Sequence, residues 1–157
     1  MLFQAENKEK LAEEITKVFF EKLGGRGEWE DFRVENKVVF LRLKAEEPEI
    51  LIGKGGAVLR DIQYLLSKMV SKKTGERFFI DLDINRYKEK KSDYLREMAK
   101  EVAAEAILLR QEKELPPMPS DERRIIHLAL AGREDVVAES VGEEPWRRIV
   151  IKPAVQN

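Results

Sequence analysis

Residues 51–59, LIGKGGAVL, set the tightest limit on what this chain can fold into. Gly53 and Gly56 stand with two residues between them, and apolar runs press in from both sides. The apolar flanks demand packing, and the glycines permit a bend that other residues resist. The pattern predicts two helices meeting at a loop whose backbone is bared. N–H groups at a helix start attract anions, and Lys54 adds a positive charge. Three phosphate-binding loops compete for such a pattern. A Walker A loop needs GxxxxGK followed by Ser or Thr, which is absent here. A dinucleotide fingerprint needs a third glycine where Val58 stands, and a strand directly before the loop. GxxG between two helices remains, in which a nucleotide backbone lies against the peptide above an apolar groove about four nucleotides long. The plain alternative is a tight helix–helix turn.

Periodicity around the loop gives the order α-β-β-α-α-β. Leu11, Ile15, Val18, Phe19 and Leu23 share one face of a helix over 6–23, ended by Gly24, Gly25 and Gly27. Strands over 29–34 and 37–44 flank a turn at Glu35-Asn36, with Val39, Leu41 and Leu43 pointing to one side. Pro48 suits the first turn of a short helix to Ile52. In a helix over 56–73, Val58, Ile62, Leu65, Leu66 and Met69 form the expected apolar face, with Arg60, Gln63, Ser67 and Ser71 opposite. Gly75 stops it, and a strand over 76–84 sends Phe78, Ile80, Leu82 and Ile84 one way. Asn85 is the expected cap of a long helix over 86–112, striped by Leu95, Met98, Val102, Ala106 and Leu109. After LPPMPS, Ser120 is the expected N-cap of a helix to Ala131. Val136–Val141 and Trp146–Ile151 close the chain as a hairpin around GEEP.

Composition narrows the function classes. Charged residues make up 38% and hydrophobic ones 43%, too apolar for a disordered chain and too charged for a membrane protein. Cysteine is absent and histidine single, which rules out disulfides, thiolate metal sites and two-histidine motifs. No acid pair or activated nucleophile stands out, so a catalyst is not expected. The net charge of −1 hides an uneven spread. Residues 1–52 carry a net −3, residues 53–91 a net +5, and residues 92–157 a net −3. The bland account is a solvated, salt-bridged surface. Starting at the glycine loop, the positive stretch instead fits an electrostatic footprint for a polyanion.

Arg123 and His127 are four apart, neighbours on one helix face. Projected at about 100° per residue, Ile125, Leu128 and Ala129 fall opposite. Arg123 and His127 are therefore expected to face solvent, with Arg124 nearer the boundary. Arg133, Arg147 and Arg148 extend the basic surface, weakened by Glu134 and Glu144. Trp146 is a stacking candidate or a core residue. Taken alone, an exposed Arg/His pair is more often structural.

The apolar-Ile-GxxG string within α-β-β-α-α-β makes residues 1–84 resemble a KH domain of the bacterial type II arrangement. That resemblance implies a three-stranded sheet with helices on one face. PMPSDERRIIHLAL, after a long helix and before a hairpin, is similar to an R-three-H domain, named for its Arg-x-x-x-His element. It implies helices on a small antiparallel sheet over residues 85–157. In this order, and with the tail WRRIVIKPA, the two resemble the Jag family, also called KhpB, of bacterial RNA-binding proteins. The implied class is α/β (α+β) in two modules.

By that resemblance Gly53, Lys54, Gly55 and Gly56 hold the sugar-phosphate backbone of single-stranded RNA. Ile52, Val58 and Leu59 line the groove beneath the bases, with Arg60 beside them. Arg123 and His127 meet phosphate by the same resemblance, while Arg124 extends the basic surface on charge alone. Single-stranded DNA is an alternative ligand, since nothing is dedicated to a 2′-OH. A second reading is an interaction scaffold, pairing through the KH module with itself or with a small single-KH protein. No cofactor, metal or small-molecule substrate is implied. A cytoplasmic setting and a link to cell elongation and cell-wall synthesis are. Many members start with a Jag-N domain, for which this sequence leaves no room.

Overall fold

A computed structural model describes residues 2–24 and 26–154, with side chains from residue 7 onward. Gly25, one of the expected helix terminators, lies outside the described residues. The chain divides into two compact units, one up to Lys88 and one from Glu89.

The first unit runs α1 (Leu2–Leu23), β1 (Gly27–Glu35), β2 (Val38–Ala45), α2 (Pro48–Ile52), a single 3-10 turn at Lys54–Gly56, α3 (Ala57–Thr74) and β3 (Phe79–Ile84). β1 and β2 are antiparallel, β2 and β3 parallel, in the order β1-β2-β3. The hairpin turns on Asn36 and Lys37, both at positive φ. That is the backbone twist two-residue hairpin loops favour. Alternation along the strands holds as expected: Val39, Leu41 and Leu43 of β2 and Leu82 and Ile84 of β3 are buried. They meet Ala12 and Phe20 of α1 and Leu59, Ile62, Leu66 and Val70 of α3 in one core. Each large side chain buried there contributes roughly 1.5–3 kcal/mol.

Two helix faces differ from expectation. On α3 the buried stripe is Leu59, Ile62, Leu66 and Val70, while Leu65 and Met69 are exposed. On α1 Ala12, Thr16 and Phe20 are buried, while Val18 and Leu23 are exposed. Both helices carry more apolar residues than the core accepts, so a stripe through all of them is rotated from the buried one. The polar set on α3 also has a structural task. Gln63 Oε1 accepts from the Leu82 N–H at 3.0 Å, Ser67 Oγ donates to the Phe78 carbonyl at 2.6 Å, and Ser71 Oγ accepts from the Phe78 N–H at 2.9 Å. Polar side chains at four-residue spacing thus satisfy the free edge of β3 at Leu82 and the backbone of Phe78 just before it.

The second unit contains most of α4 (Tyr87–Leu109), then β4 (Lys113–Glu114), α5 (Ser120–Leu130), β5 (Val136–Val141) and β6 (Arg148–Pro153). Asn85 does not cap α4. It sits at positive φ, and its amide exchanges two hydrogen bonds with the Ala45 backbone, at 2.7 and 3.1 Å. Asp83 Oδ1 accepts from the Lys88 N–H at 3.1 Å instead. Ser120 is likewise not a cap: Pro119 takes that place, extended, and makes no side-chain cap bond. The expected hairpin is present and gains a third strand, antiparallel in the order β4-β6-β5. Leu95, Ala99, Ala103 and Ala106 of α4 pack with Ile126 and Leu130 of α5 and Ile149 and Ile151 of β6. Alanines along α4 allow that close packing.

Candidate nucleic-acid interface

The bend between α2 and α3 is built by three left-handed glycines. Gly53 has φ 70° and ψ 178°, a region open essentially to glycine alone. A Cβ there would lie 2.4 Å from Val58 Cγ2, so Val58 backs the turn. A Cβ on Gly56 would lie 2.9 Å from the Tyr87 ring, which closes the loop from beneath. Gly55, at φ 60°, has open space around it. The turn keeps some of its own amides. The Gly53 N–H donates to Glu49 O at 2.9 Å, the Gly56 N–H to Gly53 O at 3.2 Å, and the Ala57 N–H to Lys54 O. The expected row of open amides therefore narrows to the Lys54–Gly55 segment, where both residues are exposed. Arg60 Nη1 donates to the Gly55 carbonyl at 3.0 Å and braces the crown of the loop.

Apolar neighbours fall at different depths. Val58 is 37% exposed and Ile52 partly buried, while Leu59 is 3% exposed and belongs to the core. Leu59 can support a groove from below but offers little surface to it. The positive stretch is also partly spent. Lys88 Nζ pairs with Asp81 Oδ1 and Arg42 Nη2 with Asp81 Oδ2, both at 2.7 Å. Burial pushes the Asp81 carboxyl up, but those hydrogen bonds outweigh it and hold it below its usual range. Lys91 faces Glu122 at 3.6 Å. Among the described residues Lys54, Lys72, Lys73, Arg86 and Lys90 form no ion pair.

On α5 the expectation of a solvent-facing pair is corrected. The buried face carries Glu122, Arg123, Ile126 and Leu130, and Arg123 is only 7% exposed. Spacing of three and four puts Arg123 in line with Ile126 and Leu130, so it must bury its stem. Its charge is met on site: Nη1 donates to the Met118 carbonyl at 2.6 Å and Nη2 to Glu144 Oε1 at 2.7 Å. Glu144 reaches across from the β5–β6 loop. Leu128, expected opposite, is instead exposed, Arg124 is exposed, and His127 is partly buried. Arg123, Arg124 and His127 still share one open groove of about 610 Å³, with Ser120, Asp121, Leu128 and Ser140. Glu144 as the arginine's direct partner was legible only as a nearby acid. Among the described residues no group of three or more His, Cys, Asp or Glu could hold a metal ion. Among the same residues no helix is long and apolar enough to cross a membrane.

Residues 10–92 match the KH domain family, and residues 93–153 match the R-three-H domain family. The chain is similar to the RNA-binding protein KhpB of Clostridium symbiosum, 35% identical over 127 residues, covering 81% of this chain and 57% of that protein. It is also similar to the proteins of that name from Bacillus subtilis, at 30% over 117 residues, 73% of this chain and 56% of that one, and from Lactiplantibacillus plantarum, at 30% over 116 residues, 74% and 36%. The chain thus spans between about a third and just over half of these relatives' length. A KH fold with its GxxG bend, an Arg-x-x-x-His helix after it, and relatives sharing one name lead to one conclusion: the chain belongs to the KhpB (Jag) family.

Proposed function

We propose that this chain binds single-stranded RNA, without chemistry, through the GxxG bend and the Arg123–His127 groove. One observation carries the reading. Lys54 and Gly55 stand exposed at a left-handed bend in front of an 18-residue helix, and Lys54 has no internal ion-pair partner among the described residues. A phosphate there meets an ammonium, the helix dipole and bare backbone together. Ile52 and Val58 offer apolar contact to the bases above. The relatives' name, RNA-binding protein, agrees with this ligand. Anisotropy of a labelled single strand tests it: for Z phosphates neutralised, log K should fall with log salt at a slope of about −0.7Z. A salt-independent signal would sink the reading. An equal-length DNA strand in competition decides between the two nucleic acids.

A second reading, pairing through the KH module with another copy or with a small single-KH protein, is favoured by a separate feature. The surplus apolar residues of α1 and α3 line an open groove of about 720 Å³, with Val18, Leu23 and Met69 on its walls. Met69→Asp should shift light-scattering mass toward monomer and leave RNA affinity unchanged; an unaltered mass would remove this reading. The tie to cell elongation and cell-wall synthesis, and a cytoplasmic site of action, rest on family membership alone. Cell length in a deletion strain, restored by wild type but not by a variant with Lys54→Asp, tests that tie.

A further inference from the structure

We propose that Trp146 is a stacking platform at the rim of the Arg123–His127 groove, taking one unpaired nucleobase of the strand whose phosphates meet the groove. This inference rests on the RNA-binding reading above. Trp146 is 71% exposed, the most exposed aromatic side chain among the described residues. It takes part in none of the ring–ring or cation–ring contacts found among them. Trp29 makes the contrast, packed edge-on against Phe20 and Phe32 at 4.9 and 5.3 Å.

The backbone carrying Trp146 is fixed to the groove on both sides. Two residues before it, Glu144 holds Arg123 at 2.7 Å. Immediately after it, Arg147 Nε donates to Ser140 Oγ at 2.8 Å, and Ser140 lines the groove. The Arg147 carbonyl accepts from Met118, whose own carbonyl binds Arg123. The Trp146 N–H donates to Glu143 O at 2.8 Å. A loop this well tied fixes the backbone at Trp146 and leaves the indole exposed. Exposed Trp on a held backbone, beside a groove carrying Arg124 and His127, matches what a splayed base needs: a flat apolar surface next to cations for its phosphates. A duplex does not fit, because its bases are already stacked. Stacking tolerates sequence, so this platform adds affinity and footprint rather than base choice.

Trp29→Phe leaves Trp146 as the sole tryptophan and makes emission a direct readout. The ligand is a dye-labelled single-stranded RNA of about a dozen nucleotides, beside an abasic strand with the same backbone. At equal occupancy, read by anisotropy, the RNA should quench Trp146 emission and the abasic strand should not. Trp146→Ala should weaken binding roughly tenfold with the salt slope unchanged, and Trp146→Phe should restore most of it. Binding with no change in Trp146 emission, or equal affinity for Trp146→Ala, overturns the platform and leaves the RNA reading intact. No anisotropy change with any strand overturns both. A blue shift on concentrating the protein alone, without response to RNA, overturns it in favour of a protein contact. Should Trp29→Phe fail to fold, acrylamide quenching of the wild type replaces it: bound RNA must shield a tryptophan that the abasic strand leaves open.

Discussion

At the GxxG bend the surface is made by backbone; on α5 it is made by side chains. The bend needs Gly53 and Gly56 for shape and leaves Lys54 and Gly55 exposed at the crown, with no ion pair on the Lys54 ammonium among the described residues. On α5 the arginine of Arg-x-x-x-His is buried, and its Nη1 and Nη2 are held by Met118 and Glu144 before any ligand arrives. The first site can meet a phosphate without breaking anything. At the second, a phosphate must share Arg123 with a carboxylate already bound, or use Arg124 and His127. The difference predicts that affinity resides mainly in the bend, with the α5 groove as an adjustable addition.

The strongest attempt to break that comparison is Lys54→Asp with Gly55→Asp. It turns the crown from +1 to −2. Open space surrounds Gly55, and Asp tolerates a left-handed φ better than most residues, so the fold should persist. RNA affinity should drop roughly a hundredfold or more, as like charge replaces attraction at close range. Binding left intact by this variant would move the weight to α5.

Substituting the framing glycines tests shape instead of charge. Gly53→Ala should cost about 2–4 kcal/mol in chemical denaturation, from its glycine-only dihedrals and the overlap with Val58. Gly55→Ala should cost only about 1 kcal/mol, since a left-handed φ is the whole penalty. Equal losses at the two positions would mean the bend is not shaped as described.

On α5 the informative change is Glu144→Gln. It removes the carboxylate's charge yet still offers Arg123 an acceptor. Glu144 is largely exposed, so stability should change by less than about 1 kcal/mol. RNA affinity should rise several-fold, about 1 kcal/mol, with a steeper salt slope as Arg123 becomes available to phosphate. A fall in affinity would show that Glu144 orients Arg123 rather than competing for it.

Much of this contrast was legible in the chain. Pro48–Ile52, the strand alternation around Leu41 and Leu82, and the stop at Gly75 follow from local rules that tertiary packing did not override. The helix faces were less so. Val18 and Met69 are apolar at helical spacing, and spacing alone cannot tell a core position from a surplus one on an open groove. Arg123 failed for a different reason. A helical projection places residues on one cylinder; it carries nothing about a loop 21 residues away that folds over to supply Glu144. The spacing of Gly53 and Gly56 marks a bend, but their contacts with Val58 and Tyr87 are tertiary facts.

The smallest expected effect separates the two units by acid. Glu76 receives both Lys37, at 2.8 Å, and Lys8. Those hydrogen bonds hold its carboxyl down at about 2, against an ordinary 4.5. A depressed carboxyl contributes stability that is complete above about pH 4.5 and lost as pH falls toward 2. Both lysines belong to the first unit, so the loss falls on the KH unit. Glu76→Gln should lower its unfolding temperature slightly at neutral pH, and the difference from wild type should shrink from about pH 4.5 downward and vanish as pH falls below about 2. Asp135, held low by Arg133, is the corresponding acid in the second unit and is untouched by that change. Amide exchange resolves the units separately. If Glu76→Gln alters protection around Ile126 and Ile149 as much as around Leu41 and Leu66, the two units unfold together, and the comparison between independent sites loses its footing.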